Sequence, residues 1–290
     1  MESAQLYKLS VTPVSSEPAC EAPEVSHTRN QPEYDARKRT IREHFDLYAG
    51  ERPWWEKKAA AYIEDQIRYF RFLIPEGLRV LEIGSGLGTL LAAVKPARGV
   101  GIDLSPEMVT EAARRHPTLE FRVGDAESLE LYETFDVIIL SDLIGHLVDV
   151  QAAFSRLRQA CTPHTRIIVS SYNFLWEPLL RLGEHIGMKM PQPEQSWFSP
   201  ADIIQLLSLA DFDTVKAEQR LLMPKRIPLL SSLCNNLLAY VPGFRRLCLS
   251  HYIVARPRLR IPERPYSTTI VVPCHSSREN KDGLFFTGYI

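Results

Sequence analysis

Five short apolar stretches, each leading toward a different element, constrain this chain more than any other feature. They are RVLEIG (79–84), GVGIDL (99–104), LEFRVGD (119–125), FDVIILSD (135–142) and TRIIVSSY (165–172). The first four run into TLLAAVKP, SPEMVTEAARRH, a short helix-compatible segment and VDVQAAFSRLRQAC. Near-continuous apolar strands alternating with helices predict a parallel sheet covered on both faces. Right-handed crossovers then make it an α/β doubly wound sheet. Ser105 is the expected N-cap of the second crossover helix, with Pro106 first in the helix and Glu107 in its first turn. Upstream, residues 35–50 and 54–74 carry apolar residues at helical spacing and predict two helices separated around Gly50 and Pro53. Downstream, SPADIIQLLSLADF predicts a helix capped by Ser199 before Pro200, and TVKAEQRLL and LSHYIVARP predict two more strands.

The bulk properties exclude several classes. At 290 residues, 45% hydrophobic and 24% charged, the chain can bury a good core as an ordinary globular protein. A formal net charge of -1 argues against nucleic acid as a partner. Five scattered cysteines form no CxxC pair, so a reducing compartment is expected and no metal site. The first residues lack an apolar core behind a basic start, and no apolar run reaches the ~20 residues of a membrane span. A cytoplasmic location is the expectation. Residues 1–31, rich in Ser, Pro and Glu, read as a poorly ordered leader.

The first strand ends in VLEIGSGLGTLL, residues 80–91, with Gly84, Gly86 and Gly88 alternating. Glycines there permit positive φ and let a ligand approach the backbone; a merely tight strand-to-helix turn is the alternative. Two acids favour the ligand. Glu82 sits within an otherwise apolar strand, where a carboxylate without a partner is costly. Asp103 ends the second strand, where a carboxylate can accept from both hydroxyls of a ribose. The dinucleotide spacing GxGxxG is not met, since the third glycine arrives one residue early, and the absence of GK[ST] excludes a P-loop.

ExGxGxG, an acid closing the second strand and GDA at the third together resemble the class I S-adenosylmethionine-dependent methyltransferases of the small-molecule branch. The resemblance spans residues 34–257. It implies a seven-stranded, Rossmann-like sheet in the order 3-2-1-4-5-7-6, helices on both faces, and S-adenosylmethionine as cofactor. Glu82, Gly84, Ser85, Gly86 and Gly88 match the family's first motif, Asp103 and Leu104 the ribose acid and its apolar neighbour. Asp125 and Ala126 match the adenine loop, and Ser141 with Asp142 the strand end beside the transferred methyl. The loop amides, at a helix start, suit the cofactor's carboxylate, and Glu82 its amino end.

For a hydroxyl acceptor, His146 is the first candidate base and Asp142 the second, His146 being alternatively a packed helix-entry residue. Tyr172, Asn173, Trp176, Gln195 and Trp197 follow the fifth strand, where lid and acceptor contact are equally compatible roles. Residues 222–246 form a basic, apolar insert, and residues 222–264 hold a single acid, Glu263. That composition suits peripheral contact with an inner membrane surface, or else an extra capping helix or dimer contact. The tail over 258–290 contains TTIVVPCHSSREN, which resembles the opening strand of family 2 glycosyltransferases; a fortuitous apolar tail is the alternative. The resemblance points to a small-molecule, saccharide or glycolipid acceptor and to a glycosyltransferase partner. The competing function is a cofactor-binding scaffold without turnover.

Overall fold

A computed structural model describes residues 31–225, 227 and 229–259. The glycosyltransferase-like segment and all of the expected leader except Gln31 lie outside them. Three helices come first: α1 (Gln31–Tyr48), α2 (Arg52–Lys58) and α3 (Ala60–Leu73). The sequence predicts only two because Trp55, Ala59, Tyr62 and Gln66 keep one helical period straight through the break at Ala59.

The sheet strands are β1 (Arg79–Ile83), β2 (Arg98–Asp103), β3 (Glu120–Val123), β4 (Phe135–Ser141), β5 (Cys161–Tyr172), β6 (Phe212–Arg220) and β7 (Ser250–Pro257). Their order is β3-β2-β1-β4-β5-β7-β6, as the resemblance implies. The first five run parallel, and β7 lies antiparallel between β5 and β6. Between them stand α4 (Thr89–Ala93), α5 (Pro106–Arg115), α6 (Val150–Leu157), α7 (Glu177–His185), α8 (Pro200–Leu209), α9 (Leu230–Asn236) and α10 (Pro242–Arg245).

Strand alternation divides the core into two layers. Leu81, Ile83, Ile138 and Leu140 pack with Phe154 of α6 and Ile203 of α8. Val80, Val137 and Ile139 face the other way, against Phe70 of α3 and Leu91 of α4. The caps follow the sequence. Ser105 Oγ accepts from Met108 N at 3.1 Å, and Ser199 with Asp202 closes a reciprocal capping box at α8. The short helix expected after β3 does not form. Asp125 Oδ1 accepts from Glu127 N at 3.0 Å instead, a side-chain turn that competes with helix initiation.

β1 is the switch point: β2 leaves it on one side and β4 pairs on the other. A doubly wound sheet opens a crevice at the carboxyl ends of such strands. α1, α2 and α3 lie across that opening, held by polar contacts to residues of the crevice rim. Tyr34 Oη donates to Glu127 at 2.7 Å, Lys38 pairs with Asp125 and Glu127, and Thr89 Oγ1 donates to Glu56 at 3.0 Å.

Candidate functional site

Beneath the three helices is a cavity of about 340 Å³ at the ends of β1, β2 and β4, within the ordinary range for small-molecule sites. Glu82, Gly84, Ser85, Gly86, Asp103, Leu104, Asp125, Ala126, Ser141, Asp142, His146 and Tyr172 all line it.

The glycine loop works differently at each position. Gly86 has φ +50°, lines the cavity, and a Cβ there would meet nothing within 4 Å. Gly88, expected at the cofactor, does not line the cavity; its φ is +71° and a Cβ would lie 2.4 Å from Phe121 Cζ. Its requirement for glycine is packing of the loop on β3. Of the loop amides expected to suit the cofactor's carboxylate, four already have acceptors. Gly84 and Ser85 donate to Ile102 O, Gly86 to Asp103 and Gly88 to Ser85 O, so these amides serve the loop itself.

Asp103 joins the two halves of this floor. Oδ2 accepts from Gly86 N at 2.8 Å and Oδ1 from Ser105 N at 3.0 Å. Burial raises its pKa, and those two amides oppose the rise. Glu82 is buried, and Oε2 accepts from Leu91 N at 3.0 Å, an acceptor that α4 otherwise lacks because its N-cap is Gly88. Burial, with the charges of Asp103 and Glu56, pushes its pKa up to about 8 against the opposing Leu91 amide.

Glu82 therefore carries a stability signature. Its folded pKa of about 8 lies above the ordinary 4.5, so folding retains a proton that the unfolded chain releases between those values. The stabilisation is present below pH 4.5 and disappears as pH rises toward 8. Glu82→Gln is expected to flatten this slope in cofactor-free protein, by a few kcal/mol at pH 8. Denaturant midpoints across that range check it; a slope equal to the wild type's would show that Glu82 is ionised throughout.

At the end of β4, Asp142 adopts φ +52°. Its Oδ2 accepts from Tyr62 Oη at 2.6 Å and Gln66 Nε2 at 3.0 Å, and Oδ1 from Ser170 Oγ at 3.3 Å. Burial raises its pKa and the three donors oppose that rise. His146 sits in a 3₁₀ turn, edge-on to Phe45 with ring centroids 5.4 Å apart. Burial, followed by the charges of Lys189 and Arg52, lowers its pKa to about 3, and Nδ1 has no hydrogen-bond partner among the described residues. Trp55 Nε1 and Ser85 Oγ, also at the cavity, are likewise buried without partners. Polar atoms without partners at a cavity are open to hydrogen bonds from a ligand.

The expected substrate residues divide. Tyr172 lines the cavity and packs near Tyr62, ring centroids 5.4 Å apart. Asn173 is buried and fully engaged: Nδ2 donates to Arg246 O and Cys248 O, and Oδ1 accepts from Leu175 N. Trp176 Nε1 donates to Leu247 O at 2.7 Å, so both side chains hold the insert rather than face the cavity. Gln195 and Trp197 border a separate, water-sized cleft behind Asp142.

Sequence reading missed Lys38, Arg52, Trp55, Glu56, Tyr62, Gln66 and Lys189, all of which line the cavity. Helical spacing marked most of these as helix residues, but the inward face of α1–α3 is set only by docking. Arg52 is the most telling. It makes no ion pair among the described residues, its one hydrogen bond is to Met190 Sδ at 3.5 Å, and its charge acts on Asp103, Asp142 and His146.

A family model described as a methyltransferase domain matches residues 54–217, more than half of the chain. The chain belongs to that methyltransferase family. S-adenosylmethionine is its cofactor, and the buried, partnerless polar atoms and the open space at Gly86 fit a ligand seated on the β1–β2 floor. Among similar proteins, the ubiquinone biosynthesis O-methyltransferase of Bradyrhizobium diazoefficiens is 28% identical over 130 residues, covering 42% of this chain and 51% of that protein. The methyltransferase thus spans about half the length of the curated relatives it matches. An S-adenosylmethionine-dependent methyltransferase of Thermotoga maritima shares the fold with a TM-score of 0.58 at 19% identity, covering 74% of this chain and 99% of that one. The magnesium protoporphyrin IX methyltransferase of Synechocystis PCC 6803, with bound S-adenosylhomocysteine, gives a TM-score of 0.51 at 18% identity, covering 76% and 99%. Among the described residues no helix is long and apolar enough to cross a membrane.

Proposed function

We propose that the methyltransferase O-methylates a phenolic, quinol-type acceptor. The observation that carries this reading is the composition of the cavity wall beyond the glycine floor. Phe45, Tyr62, Ile63, Tyr172, Met188 and Met190 make it aromatic and aliphatic, while Asp142, Ser141 and Gln66 are already hydrogen-bonded to one another. A flat, largely apolar ring bearing a hydroxyl suits such a wall. The O-methyltransferase name of the Bradyrhizobium relative supports the same class. The saccharide acceptor rested on the glycosyltransferase-like segment of the tail, which lies outside the described residues.

The bound cofactor supplies a methyl group on a sulfonium. Asp103 would accept from its ribose, Asp125 and Ala126 would border its base, and Arg52 would pair with its carboxylate. Tyr62 and Gln66 fix the Asp142 carboxylate, and α1–α3 exclude water from the reacting atoms. His146 stays uncharged and accepts the hydroxyl's hydrogen bond; the proton released as the oxygen takes the methyl would pass to Asp142, whose carboxylate lines the same cavity. Burial first, and then the surrounding cations, disfavour an imidazolium, so His146 orients the acceptor. Turnover is then expected to show no histidine limb between about pH 5 and 8, where an ordinary histidine would titrate. His146→Ala is expected to lower kcat by roughly a hundredfold through misplacement of the acceptor. A limb near pH 6.5 that vanishes in His146→Ala would make it a conventional base instead; unchanged turnover would remove it from the reaction.

The deciding experiment incubates the protein with S-adenosylmethionine and matched panels of catechols, short-chain quinols and saccharides, with mass analysis of the products. Methyl ethers of the phenols are expected. Methylation confined to the saccharides, or to carbon or nitrogen, would overturn the reading.

A further inference from the structure

Two chain segments leave apolar side chains in water beside the cavity mouth. In and before α7, Leu175, Leu179, Leu182 and Ile186 recur at helical spacing, with exposures of 48%, 61%, 57% and 56%. Such a stripe ordinarily faces a core, yet no residue of α7 is buried. In the insert, Leu229, Leu233 and Leu237 recur every four residues, exposed by 89%, 49% and 59%, followed by Phe244 and Leu247. The insert has a separate inner face, where Cys234 and Ala239 are buried and Asn235 bonds both Met223 N and Met223 O. Its outer face is therefore not an unpacked core.

The two segments meet at one end. Asn173 N donates to Leu249 O at 2.7 Å, its side chain reaches Arg246 O and Cys248 O, and Trp176 Nε1 reaches Leu247 O. The base of α7 is thus bonded to the end of the insert. Leu180, Met188 and Lys225, from the same two segments, line the cavity. The charge is one-sided. Residues 222–259 contain no acid but hold Lys225, Arg245 and Arg246, whereas the acids of α7 are neutralised, Glu177 by Arg181 and Glu184 by Lys189.

We propose that this face docks on an anionic lipid bilayer, with the cavity mouth at the membrane surface. Exposed leucine and phenylalanine can enter the headgroup boundary while the arginines meet lipid phosphates. A second copy of the chain fits worse: a two-fold contact sets each patch against itself, bringing the same cations together with no acid from the insert to offset them. Delivery of an apolar acceptor directly from the bilayer rests on the function proposed above; the docking does not.

Flotation with vesicles of phosphatidylcholine alone, and of an equal mixture with phosphatidylglycerol, tests this. Wild-type protein is expected to float with the anionic vesicles, weakly with the neutral ones, and to release at high salt. Arg245→Glu with Arg246→Glu, and separately Leu179→Ser with Leu182→Ser, are expected to lower vesicle partition at least about tenfold, each arginine near an anionic surface contributing on the order of a fivefold factor. Cofactor binding by calorimetry should match the wild type in both, showing that they are folded. Wild-type protein that stays with the soluble fraction, variants that float equally well, or a dimer in sedimentation that the leucine variant dissolves would each overturn the proposal. None of these outcomes depends on which acceptor is methylated, so failure here is distinguishable from failure of the quinol reading.

Discussion

Asp103→Ala is expected to abolish calorimetrically measurable binding of S-adenosylmethionine, a loss of at least about a hundredfold in affinity. Two effects combine. The carboxylate is the expected ribose acceptor, and a charged hydrogen bond is worth about 1.5–3 kcal/mol. It also holds Gly86 N at 2.8 Å and Ser105 N at 3.0 Å, so its removal frees the glycine loop and the entry of α5 together. Stability should fall by about 1–3 kcal/mol through those orphaned amides. Asp103→Asn, which keeps one acceptor oxygen, is expected to retain more of the fold than of the affinity. Wild-type affinity in Asp103→Ala would remove the cofactor from this floor.

Gly88→Ala is expected to unfold the protein more readily than any other substitution in the loop. A left-handed alanine costs roughly 1–2 kcal/mol, and its Cβ would stand 2.4 Å from Phe121 Cζ and 2.6 Å from Cε1. Overpacking of a core ring adds about 1–3 kcal/mol. The sum, roughly 2–5 kcal/mol, corresponds to a Tm lower by on the order of 10 °C. Gly88→Ala combined with Phe121→Leu should recover the steric part. Gly86→Ala is the contrast: it bears backbone strain at φ +50° but meets no atom, so it should fold and lose cofactor affinity. Equal Tm values for Gly86→Ala and Gly88→Ala would contradict this division of the loop. Thermal unfolding and calorimetry on the same preparations separate the two effects.

Gly84, Gly86 and Gly88 look equivalent in GSGLG, and only the position of Phe121 on β3 assigns Gly88 to packing. Asn173 and Trp176 have the composition of a binding loop. The strand pairing places 246–249 beside them and consumes their donors there. The loop amides invite an anion until the register of β2 sets Ile102 O against two of them.

What the chain determined by itself was the sheet, its covered faces, the caps at Ser105 and Ser199, and a pocket floor containing Glu82 and Asp103. Those follow from periodicity, apolar runs and local hydrogen bonding, interactions among near neighbours in sequence. Tertiary structure alone decided the cavity roof, the uncharged state of His146, and the outward turn of the leucines of α7. Each depends on contacts between segments far apart in the chain. Tyr62 meets Asp142 across 80 residues, and the base of α7 meets the insert across more than 70. Spacing identifies the face of a helix but not what that face meets.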